Sequence, residues 1–372
     1  MNNEYNGYEV GPIRPPSEAN SLLLRLTRNC PWNRCKFCNL YKGKKFSIRP
    51  VEHIIQDIDQ IKMWIDRFEN GSDPSLEELK KPGADMAFYM AQNWYENGMK
   101  SVFLQDANSL FMRPLDMEAV LKHLKNNFPS IERITIYGRS HTVARLRDED
   151  LQAFAAAGLN RIHIGMETGS TKILELIQKG VDKETHIIAG KKVKRAGIEL
   201  SEYFMPGIGG KEYSLENAAE TADALNQINP DFIRIRTFSI HRRMELYADY
   251  QNGIFTRTND VDMVKELLYL VEHLEGVTSY LISDHMVNLL QEVEGRFPED
   301  QKRMAEILKR FLALDPKEQL IFRLGRRTGR MFYLSDLYDP FRRKLVIDLI
   351  NSHNIDENNI DQVCDDMLKR FI

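Results

Sequence analysis

The 372 residues predict an α/β fold: a parallel sheet, open or curled into a partial (β/α)6 barrel, with a mostly helical C-terminal extension. Three observations carry that expectation. Short apolar runs of strand character alternate with helical patterns. From Ser101 onward the strand starts recur at about 30 residues, the size of a βαβ unit. From His241 onward the pattern turns mostly helical.

Taken in order, residues 1–19 read as an N-terminal tail, 20–240 as the core and 241–372 as the extension that shapes a substrate pocket. The first strand is expected at 21–27, and Arg28-Asn29 leads from it into a cysteine-rich loop. A gap of about 74 residues follows. It holds an amphipathic helix, with Ile54, Ile58, Ile61, Ile65 and Phe68 on one face, and a second helical stretch at 85–97. Asn70-Gly-Ser-Asp-Pro74 is a turn-rich break between them. Further strands are expected at 101–104, 133–137, 161–165, 198–205 and 232–238. Four helices between them have start signals: Asp116 before 117–127, Asp148 before 149–157, Ser170 before 171–178 and Asp182 before 183–196. Gly158 and Gly197 are placed to stop helices. In the extension, helices are expected at 260–275, 299–314, 339–352 and 359–371.

Charge and hydropathy exclude some functions. With 51 Lys+Arg against 54 Asp+Glu the net charge is −3, which is not the electrostatic footprint of a general nucleic-acid binder. No apolar run reaches the ~18–20 residues of a membrane span, and the first residues carry no signal-peptide pattern, so a cytoplasmic protein is expected.

The four cysteines carry the chemistry. Cys30, Cys35 and Cys38 lie within nine residues as C-x4-C-x2-C, and Cys364 stands alone, the simplest reading being a surface or helix-packing thiol. A disulfide framework does not suit an intracellular chain of this size with three clustered thiols. Zinc and an iron–sulfur cluster remain. Structural zinc takes four ligands, usually as two paired knuckles, and no second cysteine pair follows. Three thiolates leave one iron of a [4Fe–4S] cube open to a substrate or cofactor. The loop follows the first strand, so it falls at the carboxyl end of the sheet, where active sites of such barrels collect.

The loop Cys30-Pro-Trp-Asn-Arg-Cys35-Lys-Phe-Cys38 resembles that of the radical S-adenosylmethionine superfamily. Leu104-Gln-Asp-Ala-Asn108, Gly165-Met-Glu-Thr-Gly-Ser170, Lys179-Gly180 and Gly207-Ile-Gly-Gly210 agree with it in order. The second of these looks like the branch of the coproporphyrinogen oxidases and methylthiotransferases. The first cysteine gap is four residues where three is commonest in the superfamily. The resemblance implies a [4Fe–4S] cluster on Cys30, Cys35 and Cys38, with S-adenosylmethionine cleaved reductively to a 5′-deoxyadenosyl radical that takes hydrogen from a substrate. It implies Phe37 presenting its backbone to adenine, Asp106 accepting from the methionyl ammonium, and Glu167 accepting from the ammonium or ribose. Arg139 and Lys179 become candidate donors to the carboxylate and Ser201 to a ribose hydroxyl, while Gly207 and its neighbours serve the turn. Each has a structural alternative: Arg139 as a strand cap, Lys179 as a solvated helix-end residue.

The extension names no substrate. Ser279-Tyr-Leu-Ile-Ser-Asp-His285 is a short strand-like run. If it extends the sheet, Asp284 and His285 are candidate substrate ligands or proton-transfer groups; otherwise Ser283 or Asp284 caps a helix. Arg323, Arg326, Arg327 and Arg330 could receive an anionic substrate group or form solvated surface. An auxiliary cluster domain and a cobalamin-binding half are not expected. The implied partners are an unidentified substrate and a reductant such as flavodoxin or ferredoxin. Two rival readings stand beside the enzyme: a cluster carrier or cofactor chaperone without turnover, and a zinc-binding structural protein.

Overall fold

The computed structural model describes residues 4–72 and 75–369. They form two compact units. The first comprises the chain up to Asn33, Leu40–Ile164 and Ile188–Leu200; the second comprises Arg34–Asn39, Gly165–Ile187 and the chain from Ser201 onward.

In the first unit, β1 (Leu22–Arg25) is followed after Leu26 by the short β2 (Thr27–Arg28), which pairs antiparallel with β3 (Ser47–Ile48). The single expected strand at 21–27 is thus two, because the chain turns out of the parallel ladder at Leu26. Beyond them lie β4 (Ser101–Gln105), β5 (Arg133–Gly138) and β6 (Arg161–Glu167). They pair in parallel with β1 in the order β1-β4-β5-β6, in registers Leu22↔Val102, Ser101↔Arg133 and Thr135↔Arg161. Their centres are fully buried, as expected of a parallel sheet covered on both faces. Helix Val51–Glu69 buries Ile54, Ile58, Ile61 and Ile65 on the expected face, with Trp64 beside them. Phe68 is half-buried against Phe88 of the helix Ala84–Glu96, at 5.6 Å between ring centroids. Asp73 and Pro74 of the expected break lie outside the described residues, as do the last residues of the expected 359–371 helix. In the N-terminal segment Tyr8 and Glu18 are buried.

Two helix starts differ from expectation. Helix Pro114–Asn127 begins with Pro114 at its first position, and Asp116 sits in the first turn, paired with Arg113. Helix Asp148–Ala156 likewise takes Asp148 inside its first turn. Acids there stabilise through the helix dipole rather than as caps. The other two starts are as expected. Ser170 Oγ accepts from Ile173 N–H at 3.2 Å before Thr171–Leu176, and Asp182 Oδ1 accepts from Thr185 N–H at 2.8 Å before Lys183–Arg195. Gly158 and Gly197 follow helices at φ +106° and +74°, as stops require.

The second unit holds β7 (Glu199–Phe204, from Ser201), β8 (Phe232–Ile235), β9 (Tyr280–Ile282) and β10 (Gly295–Arg296). β7, β8 and β9 are parallel and β10 closes antiparallel on β9, so the run at 279–285 does extend the sheet beside β8. No helix follows it, so Ser283 and Asp284 cap nothing. Instead Ser283 Oγ donates to the Leu290 carbonyl at 3.0 Å, closing a turn. The expected helices appear as Asp260–His273, Gln301–Leu312, Pro340–His353 and Ile360–Leu368. Two substantial helices were not expected, Ser214–Ile228 and Pro316–Arg327. Among the described residues no helix is long and apolar enough to cross a membrane.

Candidate functional site

The cysteine loop leaves β2 and returns at β3, so the two-residue ladder between them pins its base. In the first unit its ends converge on Asp106, at the end of β4. The buried Asp106 carboxylate accepts from Arg25 Nη2 at 2.9 Å, from the Asn29 N–H at 3.1 Å and from Tyr41 Oη at 2.5 Å. Three donors on one buried carboxylate make it the anchor of the loop entry and exit. Asn33 Nδ2 donates to the Tyr41 carbonyl at 2.5 Å, joining the two arms. Cys30 lies on this part of the loop. Arg139 sets its guanidinium 5.1 Å from the centroid of the Trp32 ring, and its N–H donates to Asn108 Oδ1 at 3.0 Å. It occupies the N-cap position of helix Ser140–Arg145, so a backbone role accompanies any ligand role.

The middle of the loop, with Cys35 and Cys38, belongs to the second unit. There Lys36 N–H donates to the Ile177 carbonyl at 2.9 Å, the Lys36 carbonyl accepts from Leu246 N–H at 3.0 Å, and Lys36 Nζ pairs with Asp249 at 2.8 Å. Cys38 N–H reaches back to the Cys35 carbonyl at 3.2 Å, a tight turn. Phe37 is buried among Ile173, Ile177, Met205 and Phe238, and Cys35 and Cys38 pack against that apolar cluster. None of the three loop cysteines is in a disulfide, and all are of intermediate exposure, whereas Cys364 is buried. Among the described residues no three Cys, His, Asp or Glu side chains stand gathered as a metal cage. The donor set nevertheless fits an iron–sulfur cluster in kind: three cysteines, close in sequence, on a loop held at its base and middle.

At the end of β6, the candidates Glu167 and Lys179 are joined. Lys179 Nζ lies 2.8 Å from Glu167 Oε1 and 5.4 Å from the centroid of the Phe37 ring, so Lys179 is not a solvated helix-end residue. The glycines of Gly165-Met-Glu-Thr-Gly-Ser170 now have reasons. A Cβ on Gly165 would overlap the Glu167 carboxylate, and one on Gly169 would run into the Glu220 carbonyl of helix Ser214–Ile228. Ser201 on β7 is wholly buried, and its Oγ has no partner among the described residues.

The next residue, Glu202, is one that sequence reasoning missed. Its carboxyl is buried and neither oxygen has a hydrogen-bond partner among the described residues. Burial drives its pKa well above the carboxylate range, the Glu167 anion adds to the rise, and Lys179 opposes it. Glu202 is therefore an acid whose proton is held more tightly than an ordinary carboxyl's. The available signal was an acid in the middle of an otherwise buried strand.

Gly207 adopts φ +89°, which favours glycine, and its N–H donates to Glu266 Oε2 at 2.9 Å. Asn217 Nδ2 at 2.8 Å and Ser214 Oγ at 2.7 Å complete the Glu266 shell. Burial still pushes Glu266 up to about 7. At the end of β9, Asp284 pairs with Arg234 at 3.4 Å. His285 is held down to about 4, by burial first and then by the Arg236 cation, so it is a neutral imidazole at pH 7.

The parallel strands with a cysteine-bearing loop after them define an α/β protein. Residues 75–223 match the family model described as the Radical SAM superfamily. The match takes in the strand-end segments at 104–108, 165–170, 179–180 and 207–210, and the superfamily's cofactors are a [4Fe–4S] cluster and S-adenosylmethionine. The chain is similar to a tRNA uridine(34) acetyltransferase of Methanocaldococcus jannaschii, 22% identical over 33% of this chain and 23% of that protein. It is 18% identical to the mitochondrial tRNA methylthiotransferase CDK5RAP1 of Rattus norvegicus over 66% of this chain and 41% of that one. The chain thus spans less than half the length of these curated relatives. Among solved structures it is similar to the archaeal Methanocaldococcus infernus Elp3 with an N-terminal deletion, with a TM-score of 0.43 and 16% identity over 62% of this chain and 54% of that one.

Proposed function

We propose that this protein is a radical S-adenosylmethionine enzyme acting on a substrate drawn into the second unit. The observation that carries the reading is the set of three cysteines, none in a disulfide, on the loop that follows the first strands. Bound together, a [4Fe–4S] cluster and S-adenosylmethionine supply a 5′-deoxyadenosyl radical for hydrogen abstraction. Cys30, Cys35 and Cys38 hold the cluster as thiolates. Glu167 and Lys179 offer, in one ion pair, an acceptor for an α-ammonium and a donor for an α-carboxylate. Arg139 and Asp106 act at the loop from the first unit, Asp106 as anchor as much as acceptor. Phe37 supplies the apolar wall that excludes water near Cys35 and Cys38, and its backbone faces adenine. Ser201 donates to a ribose hydroxyl, Gly207 lets the backbone approach, and Glu202 holds a proton at its carboxyl that it can donate as a hydrogen bond. Residues 241–372 shape the substrate pocket, with Asp284 and neutral His285 as its candidate polar groups. The protein works in the cytoplasm with a flavodoxin- or ferredoxin-type reductant.

The test is anaerobic reconstitution with iron and sulfide, followed by metal and sulfide analysis and electron paramagnetic resonance of the reduced protein. About four irons and four sulfides are expected, with a spectrum that changes when S-adenosylmethionine is added. Cys35→Ala should lose the cluster and Cys364→Ala keep it. Zinc without sulfide in the native protein, or full iron in Cys35→Ala, contradicts the reading.

A further inference from the structure

The basic stretch in the extension is not solvated surface. Arg323, Arg326 and Arg327 lie on helix Pro316–Arg327 and are only 5%, 7% and 5% exposed. Two of them are paired with carboxylates, as buried cations should be. Arg323 Nε lies 3.1 Å from Asp260 Oδ2 and its Nη2 meets Asp361, while Arg327 binds Asp260 Oδ1 and the Val287 carbonyl. Their field holds Asp260 at about 2 against the rise that burial alone would cause.

Arg326 differs. It makes no ion pair among the described residues. Its polar contact is a long one, 3.5 Å from Nη2 to the Met286 carbonyl, and its Nε has no hydrogen-bond partner among the described residues. Burial first, and then the like charge of Arg327, weaken its hold on the proton. A guanidinium carries five donors in a rigid fork, and this one leaves most of them unused.

The same side chain lines a cavity of about 500 Å³. Arg330, Gln291, Phe332, Met286 and Met367 also line it, and every charged side chain on its wall is an arginine. The half-exposed Phe332 ring has Arg326 5.9 Å and Arg342 5.7 Å from its centroid. Arg342 is balanced by Asp336 and Asp339, each at 3.8 Å, whereas Arg326 and Arg330 have no carboxylate partner among the described residues, and Arg326 is the buried one of the two.

We propose that this cavity binds a small ligand through an oxyanion group, a phosphate or carboxylate held by the Arg326 fork. The body of the ligand rests on Phe332, Met286 and Met367. Its size falls within the range of ordinary small-molecule sites. The site lies wholly within the second unit and needs neither the cluster nor S-adenosylmethionine to form, so it stands or falls separately from the proposed reaction.

Isothermal titration of the full chain with phenyl phosphate, benzoate and neutral benzamide tests the proposal. One or both anions should bind saturably and benzamide should not; the tighter anion identifies the oxyanion class. Arg326→Gln should weaken that binding at least tenfold, and Arg326→Lys should weaken it less, since it keeps the charge and loses the fork. Without ligand, Arg326→Gln should melt no lower than the wild type, because an uncompensated buried charge has been removed. Absence of saturable anion binding, unchanged affinity in Arg326→Gln, or an Arg326→Gln protein that melts well below the wild type each overturns the proposal. If Arg326→Gln fails to fold, wild-type affinity in Arg326→Lys does so.

Discussion

Glu266 offers a stability measurement with a defined sign. Its carboxylate receives the Gly207 N–H, Asn217 and Ser214, yet burial outweighs all three and places its pKa at about 7, against 4.5 in the open chain. A value raised by folding means that the contribution is fully present below pH 4.5 and is lost as pH rises through about 7. At ~1.4 kcal/mol per unit the shift corresponds to about 3 kcal/mol. Glu266→Gln removes the titration and keeps the shape. Its amide oxygen can accept from Gly207 and Asn217, and the Ser214 hydroxyl can turn to accept from its NH2. His285 works in the opposite direction. Held down to about 4, it stabilises above its usual 6.5 and loses that contribution as pH falls. It is common to both proteins, so the difference between them isolates Glu266. Urea unfolding of wild type and Glu266→Gln at pH 4 and pH 8 is the assay. The variant should gain about 3 kcal/mol relative to wild type between the two pH values, by the same linkage. A difference that does not change with pH would refute the reasoning.

Three further outcomes follow from the contacts. Asp106→Ala leaves Arg25, the Asn29 N–H and Tyr41 without their shared acceptor and should cost about 3–5 kcal/mol, with reduced iron uptake on reconstitution; a stability change near zero would deny Asp106 its anchoring role. Gly165→Ala should displace the Glu167 carboxylate and weaken S-adenosylmethionine binding in titration, with a smaller effect on the melting temperature, because the obstructed group is the end of a flexible side chain. Unaltered binding would separate the Glu167–Lys179 pair from the cofactor. Glu202→Met replaces a buried, unpartnered acid with an apolar side chain of similar length and should raise stability by about 1–3 kcal/mol in urea unfolding; a loss would mean that Glu202 has a structural partner.

The strands were legible because a covered parallel sheet demands continuous apolar runs, and residues 101–104 and 133–137 have no alternative. Helix starts were legible where a side-chain oxygen truly accepts, as at Ser170 and Asp182. They were misplaced where an acid belongs to the first turn, because Asp116 and Asp148 look the same in sequence whichever position they hold. The missed helices share one physical cause. Ser214–Ile228 turns Asn217 and Thr221 inward, and Pro316–Arg327 buries Arg323, Arg326 and Arg327, so polar residues interrupt the apolar stripe that marks a helix. Their partners, Glu266 and Asp260, lie 49 and 63 residues away in the chain, respectively from Asn217 and Arg323. At the site, the thiols were legible from spacing alone. The pairing of Glu167 with Lys179 and the isolation of Glu202 were not, since each depends on what the fold brings beside a strand end.

The central claim is that the loop thiols serve reductive cleavage of S-adenosylmethionine. Its most direct test is to reconstitute the full chain anaerobically, reduce it with dithionite, add S-adenosylmethionine and assay 5′-deoxyadenosine by mass spectrometry. The account predicts 5′-deoxyadenosine from the wild type and none from Cys35→Ala. A protein that holds its cluster and binds S-adenosylmethionine, yet forms no 5′-deoxyadenosine, would contradict it and favour a cluster carrier.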